Sequence, residues 1–278
     1  MTNEELQRSQ MVVKKVKRNR LLLILASVSL ATALIFFTDT RFALPQTEVR
    51  FGFIPWYLTV ALIAAGFLSM RPLLKLCYRP YFDLYNKECD PEAWFAAYEA
   101  LTSKKSREKN PLTYHYNRAI SALHSGDFQT VKENAAPFFQ NAEYATGAFL
   151  LCKVAYYEGN EEEFRLNYDR FLEEGKRPDV MIRPWEREQL ELLHAQLSGD
   201  TEEALERASR PSEPDSPPIG RTIIAFNRGL VCRACGRPDL ARPHLMTVVQ
   251  YGGKTWYKRT CERILREEYA PTGGKEDQ

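Results

Sequence analysis

The sequence predicts an all-α protein: a two-helix transmembrane hairpin followed by a stack of antiparallel helix pairs. Three observations carry this. Two uncharged runs of spanning length lie close together near the N-terminus. The polar remainder is rich in helix formers and punctuated by loops. Four glycine turns of one form recur along it. The 278 residues are 44% apolar and 27% charged, which excludes a disordered or collagen-like chain. With 38 Lys/Arg against 36 Asp/Glu, the charge is too balanced for a dedicated nucleic-acid binder.

Residues 1–20 form a basic segment with Arg8, Lys14, Lys15, Lys17, Arg18 and Arg20. Residues 21–38 then carry no charge, and as a helix they reach ~27 Å, near the ~30 Å hydrocarbon core. Residues 51–70 form a second uncharged run of ~30 Å, with Trp56 and Tyr57 near its outer end. Pro55 falls in its first turn, where a missing N–H costs little. Residues 39–50 are a short external loop in this reading, too short to fold alone. Basic residues flank the pair at Lys14–Arg20 and at Arg71, Lys75, Arg79 and Lys87. The positive-inside rule therefore places both termini in the cytoplasm of a two-pass membrane protein. A bacterial cell membrane suits two spans with a compact cytoplasmic part. A cleaved leader ending at Ala31-Thr32-Ala33 is disfavoured, because Leu34-Ile35-Phe36-Phe37 prolongs the apolar run. The cluster Lys14, Lys15, Lys17, Arg18 and Arg20 sets topology first, with contact to anionic lipid as its second role.

Residues 71–110 read as a half-repeat and linker. Asp90-Pro91 is an N-cap followed by proline at the first helical position, opening a helix to about Ser103. Trp94, Phe95, Tyr98 and Leu101 share its apolar face. Pro72 and Pro80 are expected to break or kink the preceding stretch, and 104–110 to be a charged linker.

From 111 to 268 the chain repeats. The turns are Gly126-Asp127, Gly159-Asn160, Gly199-Asp200 and Gly236-Arg237. Glycine past a helix takes the left-handed conformation that ends it, and Asp or Asn caps the next helix. Glu163 and Glu203, three residues after Asn160 and Asp200, suggest capping boxes. Pro238 replaces the missing cap at Arg237. Seven residues before the glycines stand Ala119, Cys152, Leu192 and Gly229; four before stand Ala122, Ala155, Ala195 and Cys232. Small residues three apart let a second helix approach closely. Five residues after the glycines, Val131, Phe164, Ala204 and Ala241 mark the apolar face of the returning helix. Trp256 and Ile264 are expected to cap the stack, and 269–278 to be a disordered tail.

These turns and small-residue slots resemble the tetratricopeptide repeat, over about Leu112 to Leu265. The departures are long connections at 175–184 and 209–219. The resemblance implies a solenoid whose first helices line a concave groove that holds peptides. Nine residues before the turn glycines, where such proteins often carry Asn, stand Asn117, Leu150, Leu190 and Asn227. The groove candidates are Tyr116, Asn117, Lys153, Tyr156, Tyr157, Asn227 and Arg233, whose amide, aromatic and basic groups suit an extended peptide. The carboxylate clamp of chaperone-binding members is not reproduced. The alternative for these positions is ordinary packing or solvation.

No catalytic motif appears. Gly253-Lys254-Thr255 resembles a P-loop end, but Val248 replaces the glycine needed five residues earlier. Cys232 and Cys235 form a close pair without the second pair that structural zinc usually has, even counting His244 and Cys261. No enzymatic activity, cofactor or metal is expected. The predicted function is a membrane-anchored cytoplasmic interaction scaffold that binds an unidentified protein or peptide. The alternative is an accessory or assembly subunit of a membrane complex, recognised through its transmembrane helices.

Overall fold

The computed structural model describes residues 2–269, except 38–39, 45–46, 52–55, 141–143, 179, 181 and 212–215, and the backbone alone of 35–37, 40–44, 47–51, 56, 67–71 and 144. In order the elements are α1 (Asn3–Phe37), β1 (Thr40–Leu44), β2 (Thr47–Phe51), α2 (Trp56–Asn86), α3 (Pro91–Leu101), α4 (Lys104–Lys109), α5 (Pro111–Ser125) and α6 (Phe128–Ala135). After a 3-10 turn at Ala136–Gln140 follow α7 (Tyr144–Glu158), α8 (Glu161–Glu174), α9 (Pro184–Leu197), α10 (Thr201–Ser209), α11 (Pro218–Ala234), α12 (Pro238–Tyr251) and α13 (Trp256–Glu268). The chain divides into two compact units, Gln7–Phe82 and Met1–Leu6 with Asp83–Gln278.

In the Gln7–Phe82 unit the predicted spans are not separate helices. The first is the C-terminal half of α1, whose N-terminal half is charged. The second opens α2, which continues through Pro72 and Pro80 without a break. Each proline removes one N–H bond, and a helix of 31 residues keeps the rest. The 39–50 stretch is not a plain loop: β1 and β2 pair antiparallel from Thr40 opposite Phe51 to Leu44 opposite Thr47. Thr, Phe and Val on these strands favour a pleated backbone.

The two-pass membrane placement is overturned. Among the described residues no helix is long and apolar enough to cross a membrane. The cytoplasmic assignment of both termini, and the bacterial cell membrane, fall with it. Lys14, Lys15, Lys17, Arg18 and Arg20 remain as an exposed basic stretch of α1, with the Arg20 guanidinium 5.7 Å from the Tyr78 ring centre.

The second unit is built from helix pairs, α5/α6, α7/α8, α9/α10 and α11/α12. All four turn glycines have positive φ, between 70° and 83°. Each turn closes with the same two hydrogen bonds. The glycine N–H donates to the carbonyl three residues back, and the next N–H to the carbonyl five residues back, at Ala122, Ala155, Ala195 and Cys232. The side chains of Asp127, Asn160 and Asp200 then accept from the N–H three residues on. This explains why the expected capping boxes are incomplete. The Asn160 and Asp200 N–H groups are already bound to the helix before, so Glu163 accepts from the Asn160 amide and Glu203 pairs with Arg207. The small slots and the returning faces are buried, with Val131, Phe164, Ala204 and Ala241 wholly so.

Asp90 caps α3 by accepting from Ala93 N–H, and Trp94 and Phe95 are buried. The expected 104–110 linker is instead the short helix α4, started by the Ser103 hydroxyl, which accepts from Ser106 N–H. The predicted tail, beyond Tyr269, and part of the long connections at 179, 181 and 212–215 lie outside the described residues.

The last helix does more than cap the preceding pair. Its buried Tyr257, Cys261 and Ile264 pack with Ala225, Phe226, Leu245 and Val248 of α11 and α12. It also reaches the first pair. Trp256 covers the Gly126 turn and the Arg259 guanidinium donates to Ser125 O, while just before α13 the Lys254 N–H donates to Cys89 O ahead of α3. The backbones come so close here that a Cβ on Gly253 would lie 2.1 Å from Glu88 O. The helices α5, α7, α9, α11 and α13 thus touch one another in a closed cycle.

Candidate functional site

The first helix of each pair turns one face inward, and so does α13. Each contributes a polar side chain to one buried network. On α7 the Tyr157 hydroxyl donates to Asn227 Oδ1 on α11, at 2.8 Å. Asn227 Nδ2 donates to Gln189 Oε1 on α9, at 3.1 Å. The same oxygen accepts from Lys153 Nζ, also at 3.1 Å. At the α5 side, His124 Nδ1 lies 2.9 Å from the Tyr257 hydroxyl of α13, and its Nε2 lies 2.8 Å from the Tyr85 hydroxyl. A neutral imidazole has one donor and one acceptor, so one hydroxyl donates to it and the other accepts from it. Tyr157 and Tyr257 also interact, which joins the two halves.

Burial dominates the electrostatics. Lys153 and Asn227 are 1% and 0% exposed. Burial holds the Lys153 amine down to about 7, and the Cys152 thiol beside it only partly opposes this. Burial, with repulsion from Lys153, holds His124 down to about 3. Tyr85, Tyr157 and Tyr257 are pushed up by burial. The Lys153 nitrogen also sits 5.0 Å from the centre of the Tyr157 ring, a cation–π distance. Around it an aromatic cluster of Tyr157, Phe226, Trp256 and Tyr257 has centroid spacings of 4.7–6.0 Å.

The predicted groove residues therefore divide. Lys153, Tyr157 and Asn227 do converge, but in the interior rather than on an open concave face. The physical reason is the closed cycle of inner helices, which shields the face a peptide would use. Tyr156 is part-buried and donates to Gln196 Oε1 at 2.8 Å. Asn117 is part-exposed on α5 and outside the network. Tyr116 interacts with Arg183, and its hydroxyl is pushed up by burial. Arg233 lies at the far end of α11 and forms a two-armed pair with Glu268. Leu150 and Leu190, in the slot shared with Asn227, are fully buried.

Sequence reading missed His124, Gln189, Tyr257 and Tyr85. One signal was present: His124 and Tyr157 both stand two residues before a turn glycine. Gln189 and Tyr257 have no such mark.

Gly253-Lys254-Thr255 starts α13 instead of cradling phosphate. Thr255 caps the helix, and Lys254 pairs with the buried Asp90 at 3.3 Å. Beside this pair lies a cavity of about 390 Å³, lined by Glu5, Glu92, Lys258, Arg259 and Glu262 among others. Its charges are of both signs, and Lys258 reaches Glu262 at 4.0 Å. Cys232 and Cys261 are buried, the latter in the apolar cluster. Among the described residues no group of His, Cys, Asp or Glu is placed to hold a metal ion. Comparison with protein-family models, with curated proteins and with solved structures finds no match.

Proposed function

We propose that the protein is a non-catalytic interaction scaffold. Its four helix pairs are tetratricopeptide-like repeats closed into a cycle of inner helices, and its partner-binding surface lies on α1 and α2. The observation that carries this reading is the apolar stretch of α1. Leu21, Leu22, Ile24, Leu25, Val28 and Leu30 are each between 53% and 59% exposed, although their spacing takes them round the whole helix. Leu58, Val60 and Leu62 of α2 are exposed as well. Apolar surface of this extent marks a site that another molecule covers. Ala26, Ser27 and Ser29 on α1, and Ala61, Ala64 and Ala65 on α2, leave room for close helix contact. The partner this chemistry fits is a protein with apolar helices of its own.

Photo-crosslinkers placed singly at Leu22, Leu25 and Leu62 of the full chain test the reading, with Glu162 on the charged face of α8 as comparison. One protein crosslinked at the three leucines and absent at Glu162 is the expected outcome. Crosslinks to one partner from Glu162 alone would place the binding surface on the repeats. A second reading, in which the repeats bind a peptide along their inner face, is disfavoured by the burial of Lys153 and Asn227.

A further inference from the structure

We propose that the buried network is a proton-operated latch: charging Lys153 loosens the contact between α13 and α5, and neutral Lys153 holds it shut. Three features of the geometry lead here. The first is a shortage of acceptors. An ammonium has three donors, and the bond to Gln189 Oε1 occupies one. That oxygen is already shared with Asn227 Nδ2.

The second is the lack of a countercharge. Among the described residues, the titratable groups around Lys153 are Cys152 and Tyr157 on its own helix and His124 on α5, with Tyr257 of α13 reached through Tyr157. None is a carboxylate. From α9 and α11 it meets the neutral amides of Gln189 and Asn227. Glu186, one turn before Gln189, is engaged with Arg183; Glu188 interacts with Arg228 of α11; Asp169 of α8 acts on the Cys152 thiol. A buried charge without a partner draws in water or drives the structure apart.

The third is the place where opening is easiest. Each contact between successive pairs joins elements that follow one another along the chain. The α5–α13 contact joins residues over 130 apart in sequence, and its hydrogen bonds are His124 to Tyr257 and Arg259 to Ser125 O. Tyr257 links that seam to Tyr157 and so to Lys153. Water admitted to solvate the ammonium therefore enters most easily at the seam. The near-neutral titration of Lys153 puts this transition within the physiological range.

Hydrogen exchange of the full chain, corrected for the intrinsic pH dependence of exchange, tests the latch. Between pH 8.5 and pH 6.5 the opening of α13 amides is expected to rise at least about ten-fold. In Lys153→Met the rise is expected to vanish. Lys153→Gln gives the same reading if the methionine variant does not fold. A tenfold rise that survives in either folded variant, or no rise in the unmodified chain, overturns the proposal. His124 stays neutral across this range, so it does not mimic the effect.

Discussion

At the scale of single residues, the buried lysine makes stability depend on pH in a definite direction. Folding lowers the Lys153 amine from its ordinary value of 10.5 to about 7. Between those values the unfolded chain holds a proton that the folded chain has released. Stability therefore rises with pH across that window, by at most about 1.4 kcal/mol per unit, and the full burial cost is present below pH 7. His124 acts in the same sense between about 3 and 6.5. Urea unfolding at pH 7.5 and pH 9.5 checks this: the unmodified chain is expected to gain stability with pH, and Lys153→Met to lose most of that gain. Tyr257→Phe is the second residue-scale prediction. It leaves one buried His124 nitrogen without its partner and is expected to cost about 1–3 kcal/mol, read from the unfolding midpoint. Sequence reading chose Lys153, Tyr157 and Asn227 for their chemistry and found residues that do converge. It put them on a surface, because burial depends on what closes over a helix face, and neither Gln189 nor Tyr257 lies near them in sequence.

Individual elements were the most legible level, and the reason is local chemistry. A glycine that must take positive φ, followed by an oxygen-bearing cap, specifies a turn without reference to the rest of the molecule. All four turns have the glycine at positive φ and three of them the oxygen-bearing cap, and Asp90 caps the start of α3 in the same way. The errors arose where local signals were weak or outweighed. A run of Lys, Ser, Arg and Glu read as linker, yet one Ser103 cap and the Lys104–Glu108 pair at 3.9 Å accompany a short helix. Pro72 and Pro80 suggest a break or a kink, and the helix runs on through both, because long flanking helix outweighs two missing bonds. The turns also supply a graded test. Gly159→Ala meets no atom within 4 Å, so its cost is the left-handed backbone alone, about 1–2 kcal/mol. Gly126→Ala has the same backbone penalty and also sets its Cβ 2.5 Å from the Trp256 ring. It is expected to lower the unfolding midpoint clearly further than Gly159→Ala. Equal losses would mean that Trp256 swings aside freely.

At the scale of the whole molecule, closure of the repeat unit was illegible, since it rests on contacts between residues more than 130 apart that leave no local mark. Closure changes how the helix pairs share stability. In an open array each repeat touches only its neighbours, so damage at one end stays there. Here α13 packs against α11 and α12 on one side and α5 on the other. Ile264 lies in the apolar cluster on the α11–α12 side. Ile264→Ala is expected to cost about 2–5 kcal/mol through lost burial and the cavity it leaves. If the cycle transmits that loss, hydrogen exchange must quicken in α5, around His124 and Ser125, as well as in α12. The middle pairs α7/α8 and α9/α10 separate those two regions along the chain, so loosening of α5 requires passage across the seam. Exchange that quickens in α12 and α13 while α5 keeps its protection would show that the array behaves as an open stack despite its closed geometry.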